Sequence, residues 1–428
     1  MSELDPIRTP HGSPDLPASG SREPDGVSRA PAEEEPGGLG RRGRLWARIA
    51  VVVVLVLLVA GVVADHVDLD YYVLTPGVAQ PVAPLVQVPP SRAHRLRGGI
   101  FLTDVYITRV TALGYLYDEL RSDAQILPAT EVLGPVTPPS ELLAQGYLEM
   151  AQSQEAAKAA AFGQMGYDVA GRDAGVVVFS VVPRSPASGS LEVGQVVTAV
   201  DGHKTPDACA FAQALASRRP GQRVRLLVER SHVSTKAVIV PGPTAPVTVR
   251  LGRWPSDVTH PAPTPACPGT GWHGQGFLGV EAETQQAFRF PFAVRLHTTS
   301  IGGPSAGLAM TLGIIDKLWD GDLTGGRRIA ATGTISPTGA VGAVGGVPEK
   351  TVAVERAGAT AFFVPAAQVR TAESKATRSL RVYGVRTLAQ VLEDLRRLGG
   401  SVPPAAALHR ARAGGSSAPS AAPSGSGS

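Results

Sequence analysis

Ile301-Gly302-Gly303-Pro304-Ser305-Ala306-Gly307-Leu308-Ala309-Met310 sets a serine among glycines, directly after a proline, at the head of the apolar run Leu308, Met310, Leu312, Ile314, Ile315, Leu318. Proline suits the first position of a helix and the apolar spacing beyond it is helical. Ser305 is therefore expected in a first turn, where backbone N–H groups have no helical acceptor. Negative charge can build up there at low cost. The construction recurs at Gly345-Gly346-Val347-Pro348-Glu349-Lys350-Thr351-Val352-Ala353-Val354-Glu355-Arg356-Ala357-Gly358, which puts Lys350 in the first turn of a second helix. A cation at a helix N-terminus is at the wrong end of the dipole, and burial would disfavour the ammonium further. A neutral amine can then act as general base toward a serine hydroxyl. Bringing a lysine from about 10.4 to roughly 7 to 8 takes about 3 units, or on the order of 4 kcal/mol.

Lysine is scarce here, with six among 40 basic residues, and unlike arginine it can release its proton in a protein. Lys317 lies twelve residues beyond Ser305 on the same helix, roughly 18 Å away. Lys375 lacks a glycine-proline frame. Gly303-Pro304-Ser305-Ala306-Gly307 also satisfies G-x-S-x-G, the nucleophile elbow of α/β-hydrolases. That reading needs a later histidine, and His409, the only one, lies in a tail of Ala, Gly, Ser and Pro. His297 follows an expected strand at 292–296 and is read as a strand-end residue. Glu349 stands where a P-loop requires glycine, which breaks a phosphate cradle. No H-E-x-x-H or Cys/His cluster occurs, and neither metal nor cofactor is expected.

Between the two helix starts lie Ala331-Thr332-Gly333-Thr334-Ile335 and Gly339-Ala340-Val341-Gly342. With these, residues 276–398 resemble the proteolytic domain of Lon-type peptidases, whose Ser-Lys dyad sits in G-P-S-A-G and G-G-x-x-x-K segments. Gly302 and Gly303 stand where the large ATP-dependent members carry a charged residue and a glycine. Ile-Gly-Gly-Pro-Ser-Ala-Gly is more similar to the membrane-anchored PDZ-Lon serine endopeptidase family. The resemblance implies Ser305 as nucleophile, Lys350 as general base and Thr332 as the residue holding the lysine.

The rest of the chain fits that frame. Residues 1–43 are rich in Pro, Gly, Ser, Asp and Glu and are expected to be a disordered cytoplasmic tail. The apolar run 45–64, about 30 Å as helix, follows Arg41, Arg42 and Arg44 and contains Arg48. The expected anchor is 44–65, and arginines before it with Asp65, Asp68 and Asp70 after it place the N-terminus in the cytoplasm and the remainder outside. Cleavage after Ala64 as a signal peptide is the alternative. Residues 66–168 read as a membrane-proximal α+β region without chemistry: strands between 71 and 126, a short helix at 114–121, and a long helix from Pro138-Pro139-Ser140-Glu141 to Met165.

Residues 169–245 resemble a PDZ domain, on Gly175-Val176-Val177-Val178-Phe179-Ser180-Val181, Ser185-Pro186-Ala187 and the run Leu191 to Gly202. Asp201-Gly202 signals a tight turn, a helix is expected at 208–217 and a strand at 224–229. The edge of strand 175–181 is the expected acceptor of an extended peptide. Residues 246–275 read as a linker carrying Cys267, the candidate partner of Cys209; two free thiols are the alternative. The tail 399–428 is expected to be disordered. A pI of about 9.2 does not imply nucleic acid, because the arginines are scattered or beside the span.

The fold class expected is thus multidomain α+β: a transmembrane helix, a β-rich PDZ-like domain and a C-terminal Lon-type α+β proteolytic domain. The resemblance implies an ATP-independent serine endopeptidase acting on protein or peptide substrates, with a homo-oligomer allowed. The alternative is a non-catalytic PDZ adaptor that keeps a Lon-like fold.

Overall fold

The computed structural model describes residues 41–133, 141–256, 258, 267–271, 274–298 and 301–404. The expected disorder of the N-terminal tail, most of the C-terminal tail with His409, and part of the linker fall outside them. The helices are α1 (Arg41–Asp65), α2 (Ala112–Glu119), α3 (Ala129–Leu133), α4 (Leu142–Gln164), α5 (Ala208–Ala216), α6 (Gly307–Leu318), α7 (Val347–Arg356), α8 (Val369–Glu373) and α9 (Leu388–Arg397).

The run that follows Ser305 forms α6, in which every residue but Lys317 is buried. A mostly apolar helix buried on all sides belongs at the centre of a domain, and α6 is central here. Around it pack Val82, Val86 and Leu102 from early in the chain, Phe162 from α4, and Phe363, Val391 and Leu395 from its last quarter. The approach is closest at Gly313, where a Cβ would lie 2.4 Å from Val82 Cγ1.

One six-stranded sheet organises this core, in the order β18 (Arg381–Val385), β17 (Ala361–Pro365), β14 (Arg328–Ala331), β3 (Gly99–Thr111), β1 (Asp68–Pro81), β4 (Gln125–Pro128). The first four run parallel and the last two add antiparallel. Strands at 68–128, assigned from the sequence to a region of their own, thus share a sheet with those at 328–385. The joint is β3 with β14, where Ile100 pairs with Ile329 and Phe101 with Ala330. Alternating apolar residues reveal a strand, but not which distant strand completes it.

The second sheet has the order β11 (Thr244–Arg250), β8 (Arg223–Glu229), β6 (Val196–Val200), β5 (Gly171–Val181), β12 (Val280–Phe288), with β7 (His203–Lys204) beside β6. Asp201 and Gly202 take positive φ of 48° and 83° in the tight β6–β7 turn, as the Asp-Gly pair predicts. Two sequence readings change here. Residues 246–250, read as linker, form most of β11, with Val247 and Val249 buried on alternate positions. The edge of β5, read as a peptide acceptor, is occupied, since β6 pairs with one side and β12 with the other. Among the described residues the outer strand on this side is β12, with β11 at the opposite edge.

Short pairs complete the structure: β2 (Val86–Gln87) with β13 (Arg295–Leu296), β9 (His232–Val233) with β10 (Ile239–Val240), and β15 (Thr334–Ile335) with β16 (Val341–Gly342). Of the strand expected at 292–296 only β13 forms. Helix α1 is long and apolar enough to cross a membrane.

Candidate active site

Pro304 occupies the first position of a 3-10 turn, Pro304–Ala306, that runs directly into α6. Ser305 thereby sits at the helix start, as its flanking residues predict. Gly303 enters the turn at φ 85°, a backbone conformation that a Cβ disfavours. Behind the turn lies α4. The Gly303 N–H donates to the Gly146 carbonyl at 2.8 Å, and Ser153 Oγ donates to the Pro304 carbonyl at 3.0 Å. Gly302 also lies against Gly146, where a Cβ at 302 would be 3.2 Å from backbone. The long helix read as having no chemistry is therefore the support on which the serine turn rests. Its small and polar residues at buried positions, Gln145, Ser153 and Gln154, were the available signal.

On the other side the turn is held by the segment after β14. Thr332 Oγ1 donates to the Ser305 carbonyl at 3.2 Å, and the Gly333 N–H donates to the same oxygen at 2.9 Å. The hydroxyl of Thr332, assigned by resemblance to the lysine, is engaged with the serine's main chain.

Gly346, in the left-handed region at φ 67°, starts α7. A Cβ there would come within 2.7 Å of Val105 Cγ1, which holds the helix start close to β3. Lys350 makes the first intrahelical bond, its N–H to the Gly346 carbonyl at 2.9 Å. Its side chain is 2% exposed, and burial pushes the amine down to about 8, against Asp104 on β3 and Glu349, which both favour the ammonium form. The turn bearing Ser305 and the helix bearing Lys350 both pack on β3. Asp104 is itself fixed, accepting from the Val78 N–H at 2.6 Å. No sequence motif marked it, and its signal is a lone carboxylate in a strand centre. The other candidates are placed elsewhere: Lys375 Nζ donates to the Ser122 carbonyl at 2.6 Å, and His297 is exposed.

A second concave feature, of about 320 Å³, lies between α5 and β12. Phe211 and Leu215 face Phe277, Leu278, Val280 and Ala282 across it. Asp207 caps α5 by accepting from the Ala210 N–H at 2.7 Å, and the Ala208 N–H donates to Thr284 Oγ1 of β12 at 3.0 Å. Cys209 in the first turn of α5 is bonded to Cys267, so the pairing inferred from the two cysteines is present. Among the described residues no group of three His, Cys, Asp or Glu could hold a metal ion.

Comparison with known proteins gives two matches within the chain. Residues 285–396 match the Lon protease (S16) C-terminal proteolytic domain, and residues 163–239 match the PDZ domain. The chain is similar to the Lon protease of Koribacter versatilis, 31% identical over 122 residues that cover 28% of this chain and 15% of that protein. It is similar to that of Clostridioides difficile, 48% identical over 63 residues, 15% of this chain and 8% of that protein. The chain thus spans about a seventh or less of the curated relatives it matches. Among solved structures it is similar to the PDZ domain of the SdrC-like protein from Listeria monocytogenes, at 17% identity, 26% of this chain, 87% of that chain and a TM-score of 0.18. The chain carries a PDZ domain and a Lon-type proteolytic domain, the composition of the PDZ-Lon family.

Proposed function

We propose, from the premise of a PDZ domain joined to a Lon-type proteolytic domain, that this protein is a membrane-anchored serine endopeptidase that works without ATP. The observation that carries this reading is the buried Lys350 at the start of α7, held on the same strand as the Ser305 turn and pushed down to about 8 by desolvation. At neutral pH about a tenth of such lysines are uncharged. The neutral Nζ takes the Ser305 Oγ proton as Oγ attacks the peptide carbonyl carbon. The ammonium then returns that proton to the leaving amine, and the same lysine activates the water that releases the acyl group. The Gly307 and Leu308 N–H groups are bonded to the Pro304 and Gly333 carbonyls, so the donors for the developing oxyanion are sought in the turn that bears Ser305, each such donor being worth about 3 kcal/mol. Thr332 keeps the turn in position through the Ser305 carbonyl.

The groove between α5 and β12 suits an extended peptide added to the outer edge of β12, with side chains directed into its apolar lining. Helix α1 supplies the anchor, and the arginines in its first turn orient the catalytic part away from the cytoplasm.

The test compares full-length wild type, Ser305→Ala and Lys350→Arg on an unfolded protein without ATP. Cleavage by wild type alone is expected, since arginine keeps the charge but cannot serve as base. Equal cleavage by all three sinks the dyad.

A further inference from the structure

Strand β12 has two faces. Val280 and Ala282 look into the α5 groove, while Glu283, on the opposite face as strand alternation requires, lines a separate cavity of about 240 Å³. That cavity is composite. It is bounded by Glu149 and Ala156 of α4, Phe179 of β5, Ile335 of β15 and Pro304, the residue next to Ser305. Its volume is below the roughly 300 Å³ at which sites for whole small molecules begin, and suits one long side chain.

The chemistry of the walls is specific. Ala156, Phe179 and Ile335 are apolar, and the charge is all of one sign. Gln152 Nε2 donates to Glu283 Oε2 at 3.2 Å, and among the described residues neither Glu149 nor Glu283 has an ion-pair partner. Burial, and then the charge of Glu283, push Glu149 up to about 7. Beside the polar, uncharged Gln152, Ser153 and Thr334, the two carboxylates fall short of the oxygen-rich shell a hard divalent cation needs. They do match a side chain with an aliphatic stem and a cationic head.

We propose that this cavity is the subsite for a lysine or arginine side chain flanking the scissile bond, with Glu149 and Glu283 receiving its charged head. The proposal rests on the reading of Ser305 as nucleophile. It makes the PDZ edge strand part of the specificity of the proteolytic site, because one of the two acids arrives on β12.

Binding separates the two ideas. The full-length Ser305→Ala protein in detergent is titrated with fluorescent hexapeptides, acetylated and C-terminally amidated, that differ only in arginine or norleucine at each internal position in turn. At one position the arginine peptide is expected to bind about tenfold tighter, the scale of one charge-assisted hydrogen bond. Glu149→Gln with Glu283→Gln, near-isosteric and checked for folding by circular dichroism, is expected to abolish that preference and leave the norleucine peptide unaffected. Equal affinities for the two peptides at every position overturn the subsite. Mapping cut sites in a protein digested by wild type adds the second arm. Cuts without basic neighbours also overturn the subsite while the dyad stands. An arginine preference in binding without any cleavage instead removes the dyad, and with it the subsite's role in peptide-bond selection.

Discussion

The hydroxyl of Thr332 donates to the main-chain carbonyl of Ser305 at 3.2 Å. The neighbouring Gly333 N–H shares that oxygen, and the Gly333 carbonyl in turn accepts from the Leu308 N–H at 3.0 Å. The serine's position is therefore fixed through its backbone, by a segment whose own place is set by Thr332 N–H bonding to Phe363 of β17 at 2.9 Å.

Thr332→Val keeps the shape of this fully buried side chain and removes the donor. Loss of one such bond costs about 1 kcal/mol, so kcat is expected to fall about fivefold with KM little changed, and Thr332→Ser is expected to restore it. Steady-state kinetics on one peptide substrate checks this; unchanged kcat in the valine variant would mean the turn is held without the bond.

Peptidase activity is expected to rise with pH and level off above about 8, where Lys350 becomes neutral. Asp104 favours the ammonium form, so Asp104→Asn is expected to move this rise toward lower pH. A pH profile of kcat/KM for both proteins decides it. A rise that stays put in the variant assigns the titration to another group.

The same lysine should weaken the fold at neutral pH. Unfolded, it titrates near its ordinary value of 10.5; folded, at about 8, so between these pH values the unfolded chain binds more protons and stability increases as pH rises. Below about 8 the penalty is complete, at most about 3 kcal/mol. Lys350→Met is therefore expected to raise the denaturation midpoint at pH 7 and to flatten the dependence from 8 to 10.5. Urea titrations at several pH values read it directly.

Glu149 behaves in the opposite sense. Held at about 7, it keeps its proton in the folded state while an unfolded glutamate, near 4.5, has lost it, so stability falls as pH rises from 4.5 to 7. Glu149→Gln is expected to remove that slope in the same urea titrations.

The bond between Cys209 and Cys267 closes a loop with a sequence separation of 58 and ties α5 to the segment before the groove. Chain entropy gives about 4 kcal/mol at most for such a closure. Reduction is expected to lower the melting temperature and weaken peptide capture by the groove, leaving cleavage of peptides too short to reach it unchanged. Calorimetry with and without reductant, alongside alkylation and intact mass, tests this.

The sequence disclosed the two helix starts because glycine and proline act locally: Gly303 and Gly346 adopt conformations set by their own backbones, and Ser305 and Lys350 follow. Thr332 was found through resemblance, but its bond to Ser305 depends on geometry that no motif specifies. Asp104 and Glu149 stayed hidden for another reason, since each matters only through elements far away in sequence. Likewise 280–288 carried no signal that singled it out, and its pairing with 171–181 is settled by which edges the fold leaves open.

The sheet that carries the site is split by the PDZ domain: β1, β3 and β4 are made first, and β14, β17 and β18 only after the second sheet is complete in sequence. A chain emerging from the ribosome must hold its early strands unfinished until residues more than 200 positions later arrive, a pairing that is slow to form. The serine and the lysine come in that last portion. On the proposed reading of Ser305 and Lys350 as a dyad, birth order acts as a safety catch: a chain that ends before α7 lacks the base and is expected to show no peptidase activity.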